Sequence, residues 1–97
     1  MSLEKEIDGK LLLKAMEESE LVYAINQTAV ELSLDSNMVR SRFLHLLKTK
    51  RVEVYKYGSE KDKYIDLSFH EVLRAYDEKN FSVFVCLSGE ELKKQRI

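Results

Sequence analysis

Lysine and arginine side chains are concentrated in the middle of this 97-residue chain. Residues 36–63 contain eight basic residues against three acidic ones, which gives a net charge of +5. Residues 1–35 contain three basic against eight acidic residues, and residues 64–97 contain five against six. A basic segment in an otherwise acidic chain is a candidate surface for binding an anion. The alternative is a solvated surface that happens to be rich in lysine.

Hydrophobic periodicity predicts the elements that precede this segment. Apolar residues recur every third or fourth position over residues 3–18, which predicts an amphipathic helix. The short apolar run 21–25 contains β-branched and aromatic residues and predicts a short strand. Asn26 is a candidate N-cap for a short helix over residues 27–34.

The basic segment itself begins with a third predicted helix, which is longer than the one over residues 27–34. Ser36 is a candidate N-cap because its hydroxyl oxygen can accept a hydrogen bond from the first turn. The predicted helix covers residues 37–50, with an apolar stripe at i, i+4, i+7 and i+8. The stripe consists of Val39, Phe43, Leu46 and Leu47.

Alternating side chains then predict a β-hairpin over residues 51–67, with a charged loop at 58–63. In its first strand, Val52 and Val54 are expected on one face. Glu53, Tyr55 and Tyr57 are expected on the other face.

Two further helices and one strand are predicted after the hairpin. Ser68 and Glu71 have the spacing of a capping box before a helix that ends near residue 80. The run 81–87 predicts a strand, and Ser88 with Glu91 predicts a short C-terminal helix.

Two helices joined by a tight turn and followed directly by a hairpin form a winged helix-turn-helix. Residues 27–67 resemble the small winged-helix transcription regulators of bacteria, archaea and their viruses. The apolar residues that carry the resemblance are Val39, Phe43, Leu46 and Val52. Many members place a glycine-containing turn where this chain has Thr49, Lys50 and Arg51. The helix is therefore expected either to run on or to end in a left-handed residue other than glycine.

The resemblance implies a DNA interface, because the N-terminal part of such a helix reaches base edges in the major groove. The base-reading candidates are Ser36, Asn37, Arg40 and Ser41. The hairpin and the far end of the helix are expected to contact phosphates. The phosphate-contacting candidates are Lys48, Lys50, Arg51, Tyr55, Lys56, Tyr57, Lys61 and Lys63.

Several of these residues have a simpler interpretation. Arg40 on an exposed helix face can be a solvated charge, and Arg42 can pair with Glu31 or another acid. Glu60 and Asp62 alternate with lysines in the hairpin loop, so that loop can be an ordinary soluble turn.

A regulator of this kind usually binds a palindromic site as a dimer. The apolar run 81–87 is the candidate dimer contact, through Phe81, Val83, Phe84 and Val85. The alternative is that the run adds a strand to its own sheet or covers its own core.

Motifs for enzymatic chemistry are absent from the sequence. It contains no phosphate-binding glycine-rich loop, no HExxH helix and no nucleophile elbow. One cysteine, Cys86, and two histidines do not suggest a metal site, and Cys86 is expected to be a buried small hydrophobe. No apolar run is long enough to span a membrane, and the N-terminus does not resemble a secretory signal. A lone cysteine also fits a reducing, cytoplasmic location.

The sequence therefore predicts an α+β fold in a single domain, residues 1–97. Its winged-helix core is expected at 7–68, with an extension at 69–97 that can serve dimerisation. The expected function is sequence-specific, homodimeric DNA binding in transcription regulation, without enzymatic activity, cofactor, metal, small-molecule effector or membrane partner. The alternative is a winged helix that binds another protein as an adaptor and does not bind DNA.

Overall fold

The computed structural model describes residues 2–58 and 63–95, which form an α+β fold. Five helices and three strands lie in this described part. The helices are α1 (Leu3–Met16), α2 (Leu21–Leu32), α3 (Ser36–Lys48), α4 (Phe69–Asp77) and α5 (Gly89–Gln95). The strands are β1 (Val52–Tyr57), β2 (Tyr64–Asp66) and β3 (Val83–Leu87).

The strands form one antiparallel sheet in the order β2-β1-β3. The predicted hairpin is confirmed as β1 and β2, with Tyr57 opposite Tyr64. The predicted strand in 81–87 is confirmed as β3, which pairs with β1 of its own chain. On its other side β3 meets the α1–α2 connection, where the Val85 N–H donates to the Ser19 carbonyl at 2.9 Å.

The predicted strand over 21–25 is wrong, because these residues form the first turns of α2. Leu21, Ala24, Ile25 and Thr28 are all buried, which is helical spacing. Five apolar residues in a row are too few to distinguish the two periods. Asn26 consequently lies inside α2 rather than at its cap, and its side chain accepts a hydrogen bond from the Tyr76 hydroxyl.

The ends of α3 also differ from the prediction. Asp35, rather than Ser36, is the N-cap, and its carboxylate accepts a hydrogen bond from the Asn37 N–H at 2.7 Å. The helix ends at Lys48, and Lys50 has a left-handed backbone with φ of 60°. The Arg51 N–H donates to the Leu46 carbonyl at 2.9 Å, which closes the helix end. A non-glycine left-handed residue thus replaces the glycine turn.

Helices α1 to α4 and one face of the sheet form a single cluster of buried apolar side chains. Its largest fully buried members are Phe43, Ile7, Leu11, Leu21, Ile25, Leu46, Val39, Val52, Val54, Val72, Val83 and Val85. The described part of the predicted extension, residues 69–95, therefore supplies part of the same core that α1, α2 and α3 share. At the start of α4, the capping box of Ser68 and Glu71 is present.

Phe43→Ala should lower the free energy of unfolding by about 3–5 kcal/mol, because it empties the centre of this core. Met38→Ala on the exposed side of the same helix is the matched control, with an expected change within about 0.5 kcal/mol. Urea unfolding followed by circular dichroism measures both. Equal losses from the two substitutions would contradict this assignment of the faces of α3.

Candidate nucleic-acid interface

Helix α3 has one buried and one exposed face. Val39, Phe43 and Leu46 point into the core. The opposite face is exposed and consists of Asn37, Met38, Ser41, His45 and Lys48. The base-reading candidates Asn37 and Ser41 therefore lie together on open surface, and Ser36 is half-buried at the first turn.

Arg40, the third base-reading position, lies at the border between α3 and α4. Its side chain is 30% exposed, and Nη1 lies 3.6 Å from Oδ1 of Asp77. The guanidinium carbon lies 5.6 Å from the ring centroid of Tyr76. Asp77 is well exposed, so this ion pair contributes about 0–1 kcal/mol. Arg40 is thus held against α4 by contacts that are weak enough to be replaced by contacts with a ligand.

Arg42 is bound to α1. Its guanidinium donates to both carboxylate oxygens of Asp8, at 3.0 and 2.7 Å, and to Glu4 at 2.7 Å. The hydrogen bonds to Asp8, followed by the nearby negative charges, raise the pKa of Arg42. Glu31, the acid named as an alternative partner, instead accepts from Lys14 at 2.8 Å. Arg42 therefore joins α3 to α1.

Arg51, a phosphate-contacting candidate, is also paired within the chain. It donates to the two oxygens of Glu91 at 3.2 and 3.0 Å, and Glu91 is only 4% exposed. The hydrogen bond to Glu91 raises the pKa of Arg51. The partner lies 40 residues away on α5. This contact holds α5 to the start of β1. Because the Arg51 guanidinium is engaged by Glu91, it is less available to contact a DNA phosphate.

Tyr55 is on the expected face of β1, but it is buried. It is 5% exposed, and its hydroxyl donates to the carboxylate of Glu18 at 2.8 Å. Burial, followed by this hydrogen bond, raises the pKa of Tyr55. Its hydroxyl is therefore not presented to a phosphate, whereas Tyr57 beside it is well exposed.

The lysine candidates remain at the surface. Lys48, Lys50, Lys56 and Lys63 are exposed, and Lys61 lies outside the described residues. The Lys48 ammonium lies 5.0 Å from the ring centroid of Phe69, the first residue of α4. Positive charge on the open surface of the basic segment is thus carried mainly by lysine.

The four dimer candidates are separated by the fold. Val83 and Val85 are buried in the core of their own chain, as the alternative interpretation expected. Phe84 is half-buried on the opposite face of the sheet, where it stacks on Tyr55 at 5.8 Å. Phe81 is exposed and lines a shallow depression beside Tyr23 and Val30 of α2.

One concave surface was not expected as a site from the sequence. A groove of about 690 Å³ lies over the face of the sheet that points away from the core, between the C-terminal end of α1 and α5. Tyr55, Tyr57, Tyr64, Glu53 and Asp66 line it. Strand alternation predicted three of these on one face of β1, and the same period in β2 would have added Tyr64 and Asp66.

Cys86 lies in this groove and is half-buried. Burial raises the pKa of its thiol to about 11, and the carboxylates of Glu53, Glu18 and Asp66 act in the same direction. The thiol is consequently protonated near neutral pH, and the groove carries a negative potential.

No protein-family model, curated protein or solved structure matches this chain. Within residues 2–58 and 63–95, no helix has both the length and the apolar character to cross a bilayer. The same residues contain no group of three or more histidine, cysteine or acidic side chains placed to hold a metal ion.

The alkylation rate of Cys86 by iodoacetamide should rise with pH and level off only above a midpoint of about 11. Glu53→Gln should lower that midpoint, because it removes a negative charge that disfavours the thiolate. Glu6→Gln, an equal charge change on the exposed surface of α1, should not move it. A midpoint near that of a free thiol, about 8.5, would contradict the described surroundings of Cys86.

Proposed function

We propose that this chain binds double-stranded DNA by inserting the exposed face of α3 into the major groove. The observation that carries the proposal is the composition of that face. Asn37, Ser41, His45 and Lys48 are polar or basic, and none of the described residues on the face is acidic. A helix fits the major groove, and amide, hydroxyl and ammonium groups can bond base edges and phosphates.

The order of elements supports the same proposal. Helices α2 and α3 are joined by a short turn, and α3 is followed by the β1–β2 hairpin. This order resembles that of a winged helix-turn-helix, in which the second helix would be the reading helix and the hairpin the wing. In this chain α4 and β3 follow the hairpin, with β3 placed beside β1.

Arg40 can take part once it leaves α4. Its contact with the exposed Asp77 is worth about 0–1 kcal/mol. A bidentate bond from arginine to guanine contributes about 1–3 kcal/mol of discrimination. Breaking the ion pair therefore costs no more than the discrimination that a guanine contact would supply. Asn37 and Ser41 are free to contact neighbouring bases without rearrangement.

Phosphate contacts fall to the exposed lysines. Lys48 and Lys50 lie at the end of α3, and Lys56 and Lys63 lie on the hairpin. Each such contact makes binding weaker as salt rises, because it releases condensed counterions from DNA.

The proposed unit on DNA is a homodimer acting in transcription regulation inside the cell. Of the four predicted dimer contacts, Phe81 has the surface for it, together with Tyr23 and Val30. A two-fold dimer would bind a palindrome whose half-sites are about 34–36 Å apart.

Selection from a random-sequence duplex pool, followed by affinity against salt concentration, tests the proposal. An enriched motif and a steep salt dependence are expected. Enrichment of a palindrome would further support a dimer. Failure to bind any duplex at low salt would contradict DNA binding.

Arg40→Ala should weaken binding to the selected site and relax the preference at one base pair, at a cost of about 1–3 kcal/mol. Asp77→Asn should leave binding unchanged or strengthen it, since it removes the competing carboxylate. Arg74→Ala is the matched control, because Arg74 is an exposed arginine of α4 that pairs with Glu78. Fluorescence anisotropy with a labelled duplex measures all three. Equal losses from Arg40→Ala and Arg74→Ala would show that only net charge matters.

A second candidate function is a protein-binding adaptor. The observation that favours it is the internal pairing of the arginines in the basic segment, which leaves less positive charge for DNA. Arg42 and Arg51 are bound to acids of α1 and α5. Absence of duplex binding, with the fold intact, would favour this candidate.

A further inference from the structure

The groove over the outer face of the sheet differs in chemistry from the α3 surface. Its carboxylates come from three elements: Glu18 follows α1, Glu53 lies on β1 and Asp66 lies on β2. Among the described residues that line it, none is lysine, arginine or histidine. The groove is therefore uniformly negative, in contrast to the lysine-bearing surface of α3 and the hairpin.

Two of these carboxylates have no ion-pair partner within the described part of the chain. Glu53 and Asp66 are exposed, and neither side chain has a hydrogen bond or ion pair with another residue of 2–58 or 63–95. Glu18 accepts a hydrogen bond from the neutral Tyr55 hydroxyl, a partner that carries no positive charge. A cation entering the groove would thus meet carboxylates with free acceptor positions.

Aromatic rings stand beside these carboxylates. Tyr57 and Tyr64 are 64% and 65% exposed. Both pack against Tyr55, at centroid distances of 5.7 and 5.4 Å. Exposed ring faces attract ammonium and guanidinium groups through the ring quadrupole. The rings and the carboxylates of this surface therefore both favour a positively charged ligand.

The size and rim of the groove indicate more than a small ion. A volume of about 690 Å³ exceeds what a single ammonium group fills and falls within the range of ligand sites. Met16 and Leu92 are exposed at its edges and offer apolar surface to the aliphatic stem of a long side chain. Burial is the main reason that the pKa of the Cys86 thiol is raised, and the carboxylates of Glu53, Glu18 and Asp66 add to the effect.

We propose that this groove binds a lysine-bearing segment of a partner protein, with the ammonium groups at Glu53 and Asp66 beside the tyrosine rings and the stems against Met16 and Leu92. The occupant follows from charge complementarity, because the groove is anionic, aromatic and rimmed by apolar side chains. DNA is repelled by the same carboxylates, so the segment and DNA use different surfaces. The domain could then connect a basic partner to the surface proposed for DNA.

Titration of the full chain with a blocked heptapeptide of alternating lysine and alanine tests this inference. Binding is measured by calorimetry and mapped by ¹H–¹⁵N chemical-shift changes. The expected changes centre on Glu53, Tyr57, Tyr64 and Cys86, whereas the amides of α3 are unaffected. The same peptide with acetylated lysines should bind at least about tenfold more weakly, because it lacks the ammonium charges.

Variants separate the groove from general charge. The double substitution Glu53→Gln with Asp66→Asn should weaken peptide binding by at least about tenfold. Tyr57→Leu should weaken it by about threefold, through loss of the ring contact alone. Glu6→Gln is the charge-matched control and should retain wild-type affinity within about twofold. All these positions are exposed, and urea unfolding checks that each variant folds.

Wild-type affinity in the double variant, or equal binding of the acetylated peptide, would overturn the proposal. Equal affinity for spermidine, mapped to the same amides, would also overturn it in favour of a small-cation site. So would a dimer of this chain that covers the groove. DNA binding by the double variant is expected to be unchanged. A failure of the groove proposal can therefore be distinguished from a failure of the proposal that α3 binds DNA.

Discussion

The alternation of side chains along β1 is the constraint on which the rest of the structure depends. Val52 and Val54 are buried against the helices, whereas Glu53 and Tyr55 point to the other face. Both neighbouring strands pair with β1, so its register also sets theirs. A slip of one residue would expose the two valines and bury a carboxylate. The core and the groove thus lie on opposite faces of β1. A change in the register of this strand would alter both of them.

Some positive charges of the basic segment support the fold, and others remain for a ligand. Pairing of arginines with acids of other elements decides which are which. Arg42 joins α3 to α1, and Arg51 joins β1 to α5, through two hydrogen bonds each to one carboxylate. Arginine suits this role because its planar guanidinium matches a carboxylate in two places. The exposed Lys48, Lys50 and Lys56 and the weakly held Arg40 remain available. This division explains how a segment of high positive charge offers only a moderate basic surface.

Local periodicity in the sequence predicted most of the helices and strands. Which candidate site residues are exposed and unpaired depends instead on contacts between distant parts of the chain. The apolar stripe of α3 was sufficient to place Asn37 and Ser41 on open surface. The run 21–25 was misassigned because five apolar residues fit a strand and a buried helix equally well. The burial of Tyr55 and the pairing of Arg51 depend on partners 37 and 40 residues away. No spacing in the sequence reveals such partners, since they follow from how the helices dock on the sheet.

Mapping a DNA-bound sample by ¹H–¹⁵N chemical-shift changes tests the central claim, that the exposed face of α3 contacts DNA, most directly. The duplex is the one enriched from the random pool, or a generic duplex at low salt if none is enriched. The account predicts changes at Asn37, Ser41 and Lys48 and at the hairpin lysines, with Glu53 and Asp66 unaffected. Changes confined to the groove or to the exposed side of α2, or no changes at all, would contradict it.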